Sequence, residues 1–331
     1  MDASPLTFSS LTAVLKAAGE ATRLRILALL AESELTVSDL TEILRQSQPR
    51  LSRHLRVLAE AGLVQRFREG SWAFFRMGER GTAADIARAL LARLNSNDQV
   101  IARDRERLAN VRSTRAAAAQ AYFRRHAAEW DRIRKLHVAD AAVEDAIRAA
   151  LADKPIRSLL DLGTGTGRML ELFAGDIERG LGLDLSLDML AVARARLDRA
   201  GIKNCSVRHG DIYDLTLARD SFDVVIIHQV LHFLDDSARA IREAARVLRP
   251  GGRLLVVDFA PHDLEFLREQ HAHRRLGFAA ETMAQWLESA GLDVVRQQML
   301  PPEPDGKIAV SLWLGRDPRI VLATPATREV A

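Results

Sequence analysis

The chain has 331 residues, of which 48% are apolar and 27% charged, with a net charge of +3; this composition fits a soluble protein of two domains. Its single cysteine, Cys205, excludes an intrachain disulfide framework and a cysteine-rich zinc site, so no metal is expected. The start MDASPLTFSS lacks a signal-peptide pattern, and the longest apolar stretch (VVIIHQVLHFL, 224–234) is too short and polar to span a bilayer, so a cytoplasmic protein without a membrane partner is expected.

The charge is uneven along the chain. Residues 50–80 hold seven arginines against three glutamates, and residues 99–135 hold ten basic against four acidic side chains. Such a bias is expected where part of a chain meets a polyanion, although arginine-rich helix faces alone produce it equally often.

Segment 10–32, SLTAVLKAAGEATRLRILALLAE, places apolar residues at helical spacing and is interrupted at Gly19. ELTVSDL (34–40) then opens a short amphipathic helix containing Leu40, Ile43 and Leu44. After the turn Gln46-Ser47-Gln48-Pro49, a helix runs to about Ala61 and stops at Gly62. Ser47 is expected to cap it by accepting from the first-turn amides. Leu51, Leu55 and Leu58 form its buried face. Gln48, Arg50, Ser52, Arg53, His54 and Arg56 lie elsewhere on its surface. Arginine pairs two-pronged with guanine and glutamine with adenine, so these residue types suit a helix that enters the major groove. LVQRFREGSWAFFRM (63–77) alternates apolar residues around Glu69-Gly70-Ser71 and predicts a two-stranded hairpin, with Arg66 and Arg68 near its tip.

LKAAGEATRLRILALL, ELTVSDLTEIL, QSQPRLSRHLRVLAEAGLV and the basic hairpin, in that order and spacing, resemble the ArsR/SmtB family of bacterial repressors over about residues 10–90. The resemblance implies a winged helix-turn-helix that binds double-stranded operator DNA as a homodimer through terminal helices. AADIARALLARL (83–94) would supply one of these, burying Ile86, Leu90 and Leu94. One departure is plain. Thr36 and Ser38 stand about where metal-sensing members carry thiols, and hydroxyls do not hold soft metals.

Residues 97–150 contain no glycine or proline and read as long helix rich in alanine and arginine. Phe123, Trp130 and Leu136 are expected to stand where they can cover a pocket in the following domain.

SLLDLGTGTG (158–167) is an apolar strand ending in an acid and a glycine turn. Glycines at 163, 165 and 167 with arginine at 168 do not meet the dinucleotide fingerprint, and the Walker lysine is missing. GLGLDLS (180–186) ends in Asp184, a position from which a carboxylate takes both ribose hydroxyls. VRHGDIYDL (207–215), FDVVIIHQVLHFLDD and GGRLLVVDF supply three more strands, the third of the series ending near Asp211. Strand and helix in alternation imply a doubly wound parallel sheet with ligands at the C-terminal strand ends. This cluster resembles the class I S-adenosylmethionine-dependent methyltransferases over about residues 120–315. LRPGGRLLVVDF resembles their small-molecule branch.

That resemblance implies a Rossmann-like domain that binds S-adenosylmethionine or S-adenosylhomocysteine. Asp161 and the backbone around Gly163, Gly165 and Gly167 would hold the methionine part. Asp184, with Leu185 beside it, would hold the ribose; Asp211 and Ile212 the adenine; and His228 would lie beside the sulfonium. TMAQWLESAGLDVVRQQM and KIAVSLWLG would add a helix and an antiparallel hairpin at one sheet edge. The small-molecule acceptor is not legible. Candidate bases are His228, His232, His262, His271 and His273. HAHRR (271–275) stands out, as a binder of an anionic substrate or of the preceding helices. The arsenic-methylating enzymes, suggested by the repressor resemblance, hold arsenite with several cysteines; one cysteine cannot do that, so arsenic is not expected as the substrate.

The fold expected is therefore multidomain: an α+β winged helix-turn-helix over residues 1–95, a helical connector and lid over 96–150, and an α/β doubly wound methyltransferase domain over 151–331. Its function is expected to be transcriptional regulation with nucleoside sensing or small-molecule methylation. The alternative is an enzyme whose winged helix serves mainly for dimerisation.

Overall fold

The computed structural model describes residues 5–69, 71–78, 81–95, 97–130, 140–302 and 308–320. They form two compact units. One extends up to Ala119 and includes Asp263–Glu265; the other takes Gln120 to His262 and the chain from Phe266 onward.

In the first unit, α1 (Phe8–Ala18) starts at Thr7, whose hydroxyl accepts from Ser10 N–H at 3.2 Å. It ends at Gly19, as the sequence expects. Helix α2 (Ala21–Leu30) buries Ile26, Leu27, Leu29 and Leu30. After β1 (Leu35–Thr36) comes α3 (Val37–Leu44), opened by a reciprocal cap. Thr36 Oγ1 accepts from Asp39 N–H at 3.2 Å, and the Asp39 carboxylate accepts from Thr36 N–H at 2.9 Å. The Thr36 hydroxyl thus has a structural task, while Ser38 is exposed.

Helix α4 (Gln48–Glu60) buries Leu51, Leu55 and Leu58 completely or nearly so. Ser47 holds the extended backbone of a cap position, yet its hydroxyl makes no cap hydrogen bond. The expected serine cap is therefore not formed. Pro49 already removes one first-turn donor, which lowers the need for it. Gly62, at φ 70°, reverses the chain so that Leu63 N–H reaches Leu58 O at 3.0 Å. Strands β2 (Val64–Glu69) and β3 (Trp72–Met77) pair antiparallel, with β1 on the far side of β3. Gly70, expected at the hairpin tip, lies outside the described residues.

Helix α5 (Thr82–Leu91) turns Ala84 and Ala87 into its own unit, with Ile86 packed against that core, while Leu90 is 37% exposed. Of the apolar residues expected to meet a second copy, Ile86 is thus used within the unit.

Helix α6 (Gln99–His126) was expected as connector, but most of it, up to Ala119, is part of this unit. Leu108 and Val111 enter the core. Asp104, 2% exposed, accepts from Arg25 at 2.6 and 2.7 Å. Arg107 donates to Ile43 O at 3.1 Å, Arg112 to Glu32 O at 2.9 Å, and Arg115 pairs with Asp39 in the cap of α3. Arg107, Arg112 and Arg115, which look solvated in sequence, are docking groups. Arg25→Met leaves Asp104 buried without its two-pronged partner. The cost expected is about 2 kcal/mol, below that of a fully isolated charge because Arg107 stands 4.0 Å from Asp104. Thermal denaturation of the variant checks this.

The second unit takes the rest of α6 and continues through a turn at Ala127–Glu129. The long helix expected over 97–150 is therefore broken after His126, with no glycine or proline to announce it. Tyr122 and Ala127 are buried there, so packing and not composition sets the break. Leu136 falls outside the described residues. The order continues with α7 (Asp140–Leu151), β4 (Ser158–Leu162), α8 (Arg168–Phe173), β5 (Arg179–Asp184), α9 (Leu187–Arg199), β6 (Cys205–His209), β7 (Phe222–His228), α10 (Ser237–Arg246), β8 (Leu248–Phe259), α11 (Phe266–His271), α12 (Ala280–Ser289), β9 (Asp293–Leu300) and β10 (Val310–Arg316).

The seven strands lie in the order β6-β5-β4-β7-β8-β10-β9. Strands β4 to β8 pair in parallel and β10 is antiparallel to both β8 and β9, the expected edge hairpin. Central strands are buried along both faces and read as unbroken apolar runs; β9 alternates exposed and half-buried residues, as an edge strand does. The chain order reverses between β4 and β7, which opens a crevice at their C-terminal ends. Among the described residues no helix is long and apolar enough to cross a membrane.

Candidate cofactor site and nucleic-acid interface

At the end of β4 the chain turns back through Gly163 and Thr164, whose N–H groups both donate to Leu183 O, at 2.8 and 3.0 Å. Gly163 has φ 70°, and a Cβ on it would overlap the Val230 side chain, so only glycine allows this approach. A Cβ on Gly182 would come within 2.6 Å of Thr164 Oγ1. Thr164 Oγ1 donates to Asp161 at 2.6 Å, and Asp161 is 2% exposed. The acid at the end of the first strand therefore fastens the turn.

Asp184, at the end of β5, accepts Gly165 N–H on one oxygen at 2.9 Å and Ser186 N–H on the other at 2.8 Å. Burial pushes its carboxyl above the ordinary range, against the pull of these N–H groups and of His209. Leu185 follows, before Ser186 caps α9. Strand β6 stops at His209, two residues before Asp211, earlier than expected. Asp211 accepts Tyr213 N–H at 2.8 Å, an acid-led turn that ends the strand, and Ile212 is buried. His228 ends β7 opposite Val257, partly exposed. The sheet thus carries Asp161, the Gly163–Gly167 turn, Asp184, Asp211 and His228 along one set of strand ends. Arg168 is not a phosphate ligand in waiting. It binds Glu144 two-pronged at 2.6 and 2.7 Å and Glu171 at 2.8 Å, fastening α7 to the turn.

On α4, Gln48, Arg50, Arg53 and Arg56 are exposed and Ser52 is half-buried. His54 turns inward, its Nδ1 3.5 Å from Glu20, and burial lowers its pKa below the ordinary histidine range despite that carboxylate. Its position beside the Leu51 and Leu55 face explains this. Arg66 and Arg68 are exposed on β2. Arg76 on β3 covers the Phe67 ring at 5.3 Å.

Residues 20–66 match the family model "Bacterial regulatory protein, arsR family", and residues 160–256 match "Methyltransferase domain". The chain joins an arsR-family winged helix to a methyltransferase domain. An arsenite methyltransferase of Aquipseudomonas alcaligenes is 43% identical over 110 residues, 30% of this chain and 32% of that protein. The uncharacterized methyltransferase YcgJ of Bacillus subtilis is 34% identical over 106 residues, 32% of this chain and 42% of its own length. A "Probable S-adenosylmethionine-dependent methyltransferase" of Mycolicibacterium smegmatis is 38% identical over 143 residues, 42% of this chain and 52% of that one. The chain therefore spans between about a third and a half of these relatives.

The methyltransferase domain also assembles a cluster of rings beside its glycine turn. Trp130 Nε1 lies 3.7 Å from where a Gly165 Cβ would stand. Phe123 meets Trp130 edge-on at 5.3 Å and Phe233 at 4.8 Å. Phe233 meets His273 at 5.1 Å, and His273 stacks on Phe259 at 5.7 Å. Tyr122 and His271 Nδ1 are 2.7 Å apart. HAHRR thus reaches the preceding helix, one of the two roles expected of it. Arg274 pairs with Asp235 at 3.0 Å, and Arg275 lies over Phe278. The buried pair of His232 and Asp258, 2.7 Å apart, completes the cluster. Asp258 escaped the sequence reading, although it ends an apolar strand just as Asp161 and Asp184 do. His262, on the loop after β8, has its ring 5.9 Å from that of Phe259.

Burial, then the charge of His126, lowers the pKa of His271, and burial raises that of Tyr122. At neutral pH both groups are therefore uncharged and share a neutral hydrogen bond. The depressed histidine pKa contributes stability that is present above the ordinary histidine range and lost as pH falls through the folded value. Thermal unfolding from neutral pH to mildly acidic pH is expected to show a loss that His271→Gln, which keeps an acceptor but does not titrate, reduces.

Proposed function

We propose that this chain is a DNA-binding transcriptional regulator, a homodimer on double-stranded operator DNA, whose methyltransferase domain binds S-adenosylmethionine and S-adenosylhomocysteine and methylates a small molecule. The observation that carries the reading is Asp184 hydrogen-bonded to the glycine turn at the strand ends, in a chain whose other unit exposes Arg50, Arg53 and Arg56 on one helix.

The residues fit the nucleoside. A carboxylate has about four acceptor sites; the backbone N–H groups of Gly165, Ser186 and Leu185 engage Asp184, and the ribose hydroxyls would take its remaining acceptor capacity. Ile212 supplies an apolar wall for the adenine and Asp211 a hydrogen-bonding edge. Asp161 and the Gly163–Gly167 turn take the methionine part, with His228 near its sulfur. When bound, the cofactor supplies a methyl group on a positively charged sulfur; the protein orients the acceptor and excludes water.

Arsenite is not the acceptor we propose. Cys205 pairs with Gly180 at the start of β6, whereas Asp184 pairs with His209 at its end. Four residue steps along the strand separate the thiol from the ligand end, about 13 Å. Burial also raises the thiol pKa.

Occupancy of the nucleoside site is proposed to change operator affinity. The boundary between the two units falls within α6, between Ala119 and Gln120. The coupling expected is about 1–3 kcal/mol, and by linkage operator must change nucleoside affinity by the same factor. Calorimetry with both cofactor forms, with and without operator, tests this. Equal affinities in both conditions sink the sensor role and leave an enzyme that also binds DNA. No heat with either form removes the methyltransferase reading itself.

A further inference from the structure

We propose that His232 is the general base of the methyltransferase domain and that the ring cluster takes a planar acceptor with an acidic hydroxyl, a phenol or an enol. The inference rests on the methyltransferase reading above and adds the base and the acceptor class.

His232 lies in the turn Leu231–Phe233, directly after β7, and Asp258 is the penultimate residue of β8. Both are buried, His232 at 2% exposure and Asp258 at 0%. Nδ1 of His232 lies 2.7 Å from one Asp258 oxygen. That oxygen also accepts Phe259 N–H at 2.8 Å, and the other faces His232 N–H at 3.4 Å. A carboxylate so placed makes Nδ1 the protonated nitrogen and leaves the lone pair on Nε2. It also stabilises the imidazolium that forms when Nε2 takes a proton. Asp258 is a positioning residue in this scheme; His232 meets the acceptor.

The surroundings select the acceptor. The His232 ring is flanked by Phe233 at 4.0 Å, His273 at 4.2 Å and Phe259 at 4.8 Å, and Phe123 and Trp130 continue the wall to the glycine turn. Flat apolar faces suit a planar molecule. Among the described residues, the carboxylates Asp258 and Asp235 beside these rings are committed, Asp258 to His232 and Asp235 to Arg274. Arg274 and Arg275 donate their backbone N–H groups to His232 O at 2.8 and 2.9 Å, while their guanidinium groups pair with Asp235 and lie over Phe278. An ammonium acceptor gains no uncommitted carboxylate from Asp258 or Asp235, while a neutral hydroxyl brings no unpaired charge among the rings and offers His232 a proton. In the step, the acceptor O–H bond breaks, the proton bonds to His232 Nε2, and the electron pair stays on oxygen as its nucleophilic pair. The proton leaves to solvent after turnover.

The test uses the full chain saturated with S-adenosylhomocysteine and 4-nitrophenol as probe, reading nitrophenolate absorbance across pH. The wild type is expected to lower the apparent pKa of the bound probe by about one unit, a tenfold rise in the ratio of ionised to neutral probe at a given pH. His232→Asn keeps a donor towards Asp258 but lacks the second ring nitrogen; it should bind S-adenosylhomocysteine as the wild type does and lose the shift. Asp258→Asn should reduce the shift and change its pH profile. Nitrogen NMR of the labelled wild type serves if the variants do not fold: His232 Nε2 should gain a proton as nitrophenolate forms. An unchanged shift in a folded His232→Asn, an unprotonated Nε2 in the NMR experiment, or no probe binding to a chain that binds S-adenosylhomocysteine overturns the proposal. Failure of the wild type to bind S-adenosylhomocysteine overturns the reading on which it rests.

Discussion

Asp184→Ala is expected to reduce the affinity for S-adenosylhomocysteine by at least about 100-fold and to leave ligand-free DNA binding unchanged. Two hydroxyls donating to one carboxylate are worth about 1.5–3 kcal/mol each. The substitution also removes the acceptor for Gly165 N–H at 2.9 Å and for Ser186 N–H at 2.8 Å, so the turn itself loosens. Asp184→Asn keeps one acceptor oxygen and loses the charge; its loss should be smaller, about tenfold, since hydrogen bonds to neutral groups are roughly half as strong. Because burial raises this carboxyl, wild-type affinity should weaken on acidification at a higher pH than an ordinary aspartate would dictate. Calorimetry measures all three quantities. Unchanged affinity in Asp184→Ala would place the ribose elsewhere and dismantle the site.

The winged helix and the sheet were legible because their signals are local. Leu51, Leu55 and Leu58 repeat at helical spacing, and a run such as VVII announces a strand buried on both faces. Gly163 was legible as a turn, but Val230 as the reason for it was not: these residues meet only when β4 and β7 become neighbours. The same limit hid Asp258, whose partner His232 lies 26 residues earlier. Helix α6 misled for a different reason. Its arginines look like a solvated face until Asp104, Asp39 and the carbonyls of Ile43 and Glu32 are brought opposite them. His54 shows the converse. It falls within a row of candidate DNA-reading residues, and only the fold shows that its ring faces Glu20.

That distinction separates two variants on one helix. Arg50→Ala with Arg53→Ala is expected to weaken operator binding at least about 100-fold, since each protomer loses two contacts worth about 1–3 kcal/mol apiece. Both arginines are exposed on α4, near the end that a helix-turn-helix presents to the major groove. In a dimer the loss is doubled. Half-sites should stand about 10 base pairs apart or a multiple of that. Binding should fall steeply with salt in the wild type and less steeply in the variant, the slope easing by about one for each phosphate contact removed. His54→Ala is the control. Its ring is turned towards Glu20 and its pKa is lowered, so it gives DNA little charge, and its removal should change affinity far less than the double substitution does. Mobility shifts at several salt concentrations read all of these effects. Equal affinity in the arginine variant and the wild type would mean that this helix does not read DNA. An equal loss in His54→Ala would mean that binding depends on the packing of α4 against α2 and not on its outward face.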